Sequence, residues 1–195
     1  MAYFKCRKCK SISNIRISSK KGLFCQSCGA KLTDSMFIKS KKQMKDKAWQ
    51  SFSRYIRLRD CILTTGTKDE GVCFTCKNRL PINKLQAGHL VDGRTDAVLF
   101  DENNIKAQCY ACNVAKHGKQ GVFLLNRLDE MVLDGCSVEE AVESLKDLFF
   151  NDTNKSYSIE ELSNIKDEYD SRYQKLLMLG DNEITSIREN KDDFL

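Results

Sequence analysis

The sequence is short of several things, and each shortage narrows what the chain can be. It has a single proline, Pro81, which excludes long Pro-rich linkers. It has two histidines, His89 and His117, so chemistry that needs an imidazole has few places to reside. It has no apolar run of the roughly 18 residues that a membrane-spanning helix needs. The opening MAYFKCRKCK lacks the apolar stretch of a secretory signal, so the expected location is a reducing cytoplasm.

Acidic residues are scarce in the first third. Residues 1–60 carry 16 Lys/Arg against 3 Asp/Glu, whereas residues 122–195 carry 8 against 18. The modest net charge of +5 hides this division. A cationic stretch of that density predicts attraction to a polyanion such as DNA. The acidic last third is expected to face away from it.

Cysteine, by contrast, is plentiful. Eight of the ten cysteines fall into four C-x2-C pairs. In a reducing compartment such pairs predict metal sites rather than disulfides, because two knuckles supply the four thiolates of a tetrahedral zinc shell. Cys6, Cys9, Cys25 and Cys28 form one expected zinc site, with 15 residues between the pairs as in a zinc ribbon. Gly29 suits the tight turn after its second knuckle. Cys73, Cys76, Cys109 and Cys112 form a second, whose 32-residue gap has room for another element. Cys61 and Cys136 stand outside the pairs and are expected to be small core residues.

The fold class expected is α+β, in four parts. Residues 1–32 read as a small zinc ribbon with a strand near 14–18. Residues 33–61 read as a long basic helix, capped by Thr33, Asp34 or Ser35. Met44, Ala48, Phe52 and Ile56 repeat every four residues, which predicts one apolar stripe. Trp49 and Phe52 are expected in the core, and Lys41, Lys42, Lys45, Lys47, Arg54, Arg57 and Arg59 on basic flanks that could lie along a phosphate backbone. Residues 62–121 read as a compact zinc-braced core with strands at Leu85–Leu90 and Ala97–Phe100 and a short helix near Asn113. Residues 122–195 read as helical. Ser137 with Glu140 and Ser158 with Glu161 predict capping boxes for helices ending near Phe150 and Leu179. The final NKDDFL is expected to be loose.

Between the second-site knuckles sits AGH, residues 87–89, followed by Asn104 in NNIKAQC, then Asn113 directly after Cys112, then Lys116. This order resembles the HNH nucleases, whose ββα-metal core often carries a four-cysteine zinc. It resembles more closely the phage recombination proteins called NinG or Rap, which join a cysteine-rich module, a basic helix, an AGH…QC-x2-CN core and a helical end. The likeness extends to SIEELSNIKDEY near the C-terminus.

The resemblance implies a metal-dependent endonuclease cutting branched recombination intermediates such as Holliday junctions or D-loops, in host cytoplasm. It implies that His89 activates water, that Asn104 braces the loop presenting it, and that Asn113 binds a catalytic Mg²⁺ or Mn²⁺. Arg94 and Lys116 are candidate phosphate contacts. His117 does not fall on the HNH ligand position and reads as an exposed or phosphate-touching residue. Two symmetric cuts would suit a homodimer. Many HNH members carry an acidic residue or histidine just before the catalytic histidine. This chain has Gly88, so a second ligand is expected from Asp92, Asp96, Asp101 or Glu102. Two other readings stay open: a non-catalytic zinc protein that binds DNA, and a nuclease cutting linear duplex.

Overall fold

The computed structural model describes residues 3–14, 23–32, 37–38, 40–91, 96–115, 119–150 and 155–189. The fold is α+β, with five helices and three small antiparallel sheets among the described residues. Arg94, Lys116, Asp92, His117, the proposed cap positions 33–35 and the NKDDFL tail lie outside them.

The first sheet has the order β2-β1-β3, from Tyr3–Lys5 (β1), Ile12–Asn14 (β2) and Phe37–Ile38 (β3). The expected strand at 14–18 thus lies earlier, and 15–18 are not described. Helix α1 (Lys41–Thr65) follows. It does not begin at residues 33–35: the Ser40 hydroxyl accepts from the Gln43 N–H at 3.1 Å and β3 occupies the preceding chain. It ends at Gly66, whose φ of 72° allows its N–H to reach the Ile62 carbonyl.

The apolar stripe describes only the first half of α1. From Leu58 to Ile62 every residue is buried, Arg59 and Asp60 included. The second half is therefore the spine of the molecule, covered on several sides. Arg59 bonds Asp60 at 2.8 Å and Glu102 at 2.7 Å. The other Asp60 oxygen accepts the Ala107 N–H at 2.6 Å. A buried ion pair is tolerable when its remaining hydrogen-bonding positions are filled, as they are here. This network fixes α1 against the strand carrying Ala107.

Strands Glu70–Val72 (β4) and Arg79–Pro81 (β5) form a hairpin absent from the sequence reading. Leu85–His89 (β6) pairs with Ile105–Cys109 (β7), in the register Leu85↔Cys109 to His89↔Ile105. The expected second strand at Ala97–Phe100 is instead a turn. Val98 and Leu99 are buried, but their apolar side chains fill the core without pairing. A short apolar run looks the same in both cases.

Helices α2 (Gln120–Leu133), α3 (Val138–Phe149), α4 (Ile159–Met178) and α5 (Asp181–Glu189) complete the chain. Both expected capping boxes are present, Ser137 with Glu140 and Ser158 with Glu161. Helix α5 lies within the stretch expected to be helical but beyond the expected last helix end near Leu179; its Ile184 is buried in the main core.

Helix α4 packs along α1, where Phe52, Tyr55 and Tyr169 form a cluster of edge-on and tilted rings. The acidic third thus lies directly against the basic helix. Arg54 pairs with Asp170 at 3.0 Å, and Lys5 of the first sheet pairs with Asp167. Among the described residues no helix is long and apolar enough to cross a membrane.

Candidate metal centres and the face around His89

The four thiols of each expected zinc site do converge. Within each group the sulfurs lie inside 4.8 Å of one another. The Cys6–Cys28 and Cys9–Cys25 separations are 3.5 Å, and Cys76–Cys109 is 3.9 Å. A tetrahedral shell with Zn–S near 2.3 Å places its sulfurs about 3.8 Å apart, so both groups can hold structural zinc. Cys61 is fully buried and Cys136 half-buried, and neither joins a group.

Three of the four knuckles share one backbone device. Cys6, Cys25 and Cys73 each accept an N–H from the residue four positions on, from Lys10, Gly29 and Lys77, at 2.8–2.9 Å. Those three residues have positive φ, of 62°, 69° and 61°. Gly29 adopts this at no steric cost, whereas the two lysines do so at some cost. The fourth knuckle differs: the chain from Ala111 to Ala115 is a single π-helical turn. That turn carries Asn113 back toward β6.

The β6–β7 hairpin is closed at one end by the second cysteine group. Cys109 pairs with Leu85 and its N–H points at Cys73 Sγ, 3.3 Å away. His89 ends β6 at the other end. Strand residues alternate faces. His89 therefore turns toward α1, where its imidazole stacks on Trp49 with centroids 4.9 Å apart and planes 18° apart. The Nε2 atom is shielded from solvent there.

The opposite face belongs to Gly88, Gln86, Gln108 and Asn113. Asn113 Nδ2 donates to Gln86 Oε1 at 2.8 Å. Gln108 Nε2 donates to the Thr75 hydroxyl. Each amide is thus anchored by its nitrogen, and each carbonyl oxygen faces Gly88. A Cβ built on Gly88 would overlap Gln108 Oε1 and lie 2.8 Å from Asn113 Oδ1. Gln108 Oε1 is buried with no hydrogen-bond partner. Two hard oxygens turned to one spot, one of them otherwise unsatisfied, fit a hard divalent cation.

Asn104 is fully buried behind this hairpin. Its Oδ1 accepts from Val91 N–H at 2.7 Å and its Nδ2 donates to the Val98 carbonyl at 3.1 Å. Both ends of the segment following His89 are thereby tied to one side chain. The described acidic candidates for the metal are engaged elsewhere. Asp96 pairs with Lys45, Asp101 accepts from Asn103 N–H, and Glu102 serves Arg59, Arg172 and Tyr169.

A family model described as Bacteriophage Lambda NinG protein matches residues 31–178, well over half of the chain. The chain belongs to the NinG family. The matched region includes α1, the β6–β7 hairpin and the second cysteine group, and stops short of Cys6, Cys9, Cys25 and Cys28. No curated protein and no solved structure gives a significant match.

The basic side chains of helix α1 divide into two sets. Near its start, Lys41 bonds Ser156 at 2.6 Å, Lys45 pairs with Asp96, and Lys42 is exposed. Farther along, Lys47, Arg54 and Arg57 line an open cleft of about 510 Å³ together with Trp49, Ser53, and Lys166 and Asp170 of α4. The cleft counts four cations against one carboxylate. Burial pushes the Asp170 carboxyl up, but hydrogen bonds from Lys166 and Ser51 and the charges of Lys166 and Arg54 outweigh this and hold it below its ordinary value. Trp49 is shared between the cleft and His89, so it is half-buried rather than a full core residue, while Phe52 is fully buried. Lys47 was among the basic flank residues expected on the helix, whereas Lys166 was not read from sequence. Gln108 was read only as part of the motif, directly before Cys109, without a role of its own.

Proposed function

We propose that this NinG-family protein is a metal-dependent DNA endonuclease with an HNH-like ββα-metal centre, acting on branched recombination intermediates such as Holliday junctions and D-loops. One observation carries the reading. A hairpin clamped by a four-cysteine group presents His89 at its open end, with the carbonyl oxygen of Asn113 turned to the neighbouring Gly88.

Hydrolysis of a phosphodiester needs a base for the attacking water and positive charge at the phosphate. An imidazole works near neutral pH as that base, and His89 stands at the strand's end with its ring orientation set by Trp49. Asn113, braced by Gln86, would hold Mg²⁺ or Mn²⁺. Such an ion supplies charge neutralisation at the scissile phosphate and leaving oxygen. Asn104 keeps the segment beyond His89 in place. The cationic cleft beside Trp49 receives the backbone of the strand being cut, with its positive charge lowering the cost of bringing phosphates together. Paired cuts across a four-way junction would take two copies of the chain.

The branched substrate is tested by comparing cleavage of a four-way junction with matched linear duplexes in Mg²⁺ or Mn²⁺. Faster cutting of the junction is expected. Equal cutting would favour a duplex nuclease, and binding without cutting would favour a non-catalytic zinc protein.

A further inference from the structure

The position before the histidine, where an acidic metal ligand is missing, is not simply vacant. Its space is taken by a side chain from the opposite strand. Gln108 faces Gln86 across the hairpin, one step from Gly88 along the same face. Any side chain at 88 would collide with the Gln108 carbonyl oxygen. The glycine is therefore the partner of the glutamine: it is small because Gln108 fills its place.

We propose that Gln108 supplies the second protein ligand of the divalent cation, replacing the acid that would otherwise come from position 88. Three observations converge on this. Gln108 is fully buried, yet its Oε1 has no hydrogen-bond partner. Leaving a buried carbonyl unsatisfied is costly, so a fold keeps one where something else satisfies it. Its orientation is fixed, since Nε2 is committed to the buried Thr75 hydroxyl. Finally, the Asn113 Oδ1 borders the same spot, oriented by an equivalent anchor on Gln86. Two neutral amides make a weaker hard-cation site than a carboxylate pair, so the ion is held largely by water and by the substrate phosphate.

This assignment rests on the nuclease reading for its purpose, but not for its test. Mn²⁺ binding to the zinc-loaded full chain is measured by the loss of the free-Mn²⁺ electron paramagnetic resonance signal, without DNA and without any cleavage. Gln108→Leu is expected to weaken Mn²⁺ binding by about tenfold or more. Gln108→Glu, nearly the same shape but with a carboxylate, is expected to tighten it. The exchange Gly88→Asp with Gln108→Gly, which moves an acid into the vacated space, is expected to bind at least as well as the wild type. Zinc content and thermal unfolding show which variants are folded, and Gln108→Glu keeps the test decisive if Gln108→Leu is not. Unchanged affinity in both Gln108→Leu and Gln108→Glu would overturn the assignment, as would a wild type that takes up no Mn²⁺. If Gln108 variants move Mn²⁺ affinity as expected while the wild type cuts no DNA, the ligand assignment stands and the nuclease reading falls.

Discussion

The indole of Trp49 lies nearly flat on the imidazole of His89, with ring centroids 4.9 Å apart and planes 18° apart. The two residues come from different elements, the basic helix and the strand that follows the cysteine knuckle. Their stack joins the surface that would carry DNA to the residue that would cut it. A stacked aromatic pair contributes about 0.5–1.5 kcal/mol beyond simple burial. Trp49→Leu should therefore lower thermal stability modestly and reduce cleavage about tenfold or more through loss of His89 orientation. Zinc content, measured alongside, should not change.

The cysteine groups make a separate forecast. Metal analysis of the purified chain should find two zinc ions. Cys73→Ser should remove one of them and unfold the hairpin region, because Cys73 is fully buried and also accepts the Cys109 N–H. Cys9→Ser should remove the other zinc, yet leave the far-ultraviolet circular dichroism of α1 to α5 largely intact, since Cys9 is exposed and lies in the first small sheet's module. Simultaneous loss of both ions from either single variant would show that the two sites are not independent.

The cationic cleft predicts a salt signature. Lys166 comes from the acidic C-terminal region but lines the cleft with Lys47, Arg54 and Arg57. Lys166→Gln and Arg57→Gln should each weaken DNA binding and reduce the slope of log affinity against log salt by about 1. Lys146→Gln, at an exposed position of α3 that does not line the cleft, serves as the comparison. The slope is read by fluorescence anisotropy on a labelled junction in EDTA, so that no cutting interferes.

Acid should act partly through Glu130. Burial alone would raise its value, but Lys106 and Arg127 more than reverse that, leaving it below the ordinary 4.5. Its ion pairs lie at 2.8 Å and 2.6 Å. A depressed carboxylate contributes stability that is fully present above the unfolded value, about pH 4.5, and is lost as pH falls through the folded value. Glu130→Gln should lower stability at neutral pH and flatten the decline below about pH 4.5, as followed by urea unfolding at several pH values.

Much of this architecture was legible in the sequence because it rests on local rules. The four knuckles follow from cysteine spacing, and both capping boxes follow from Ser-x-x-Glu. The long helix was legible in kind, but its start was not. Ser40 caps it rather than residues 33–35, since a strand intervenes that two residues, Phe37 and Ile38, are too few to announce. Ala97–Phe100 misled because burial and strand pairing both favour apolar residues, and only the pairing partner, Ile105–Cys109, distinguishes them. The face opposite His89 was hidden for a different reason. That Gln108 fills the space beside Gly88 is a relation across two strands, set by register and invisible along one chain. The packing of α4 on α1 was likewise hidden, because opposite charges thirds of a chain apart do not reveal whether they meet.

The central claim is that His89 is the base of a metal-dependent nuclease, and the most direct measurement is single-turnover cleavage of a four-way junction. Wild type and His89→Ala would be compared in Mg²⁺ or Mn²⁺, each with an EDTA control and with junction binding measured in parallel. The account predicts cutting by the wild type that EDTA abolishes, and a loss of at least about a hundredfold in His89→Ala with binding retained. Cleavage by His89→Ala at the wild-type rate, or none by the zinc-loaded wild type in either metal, would contradict it.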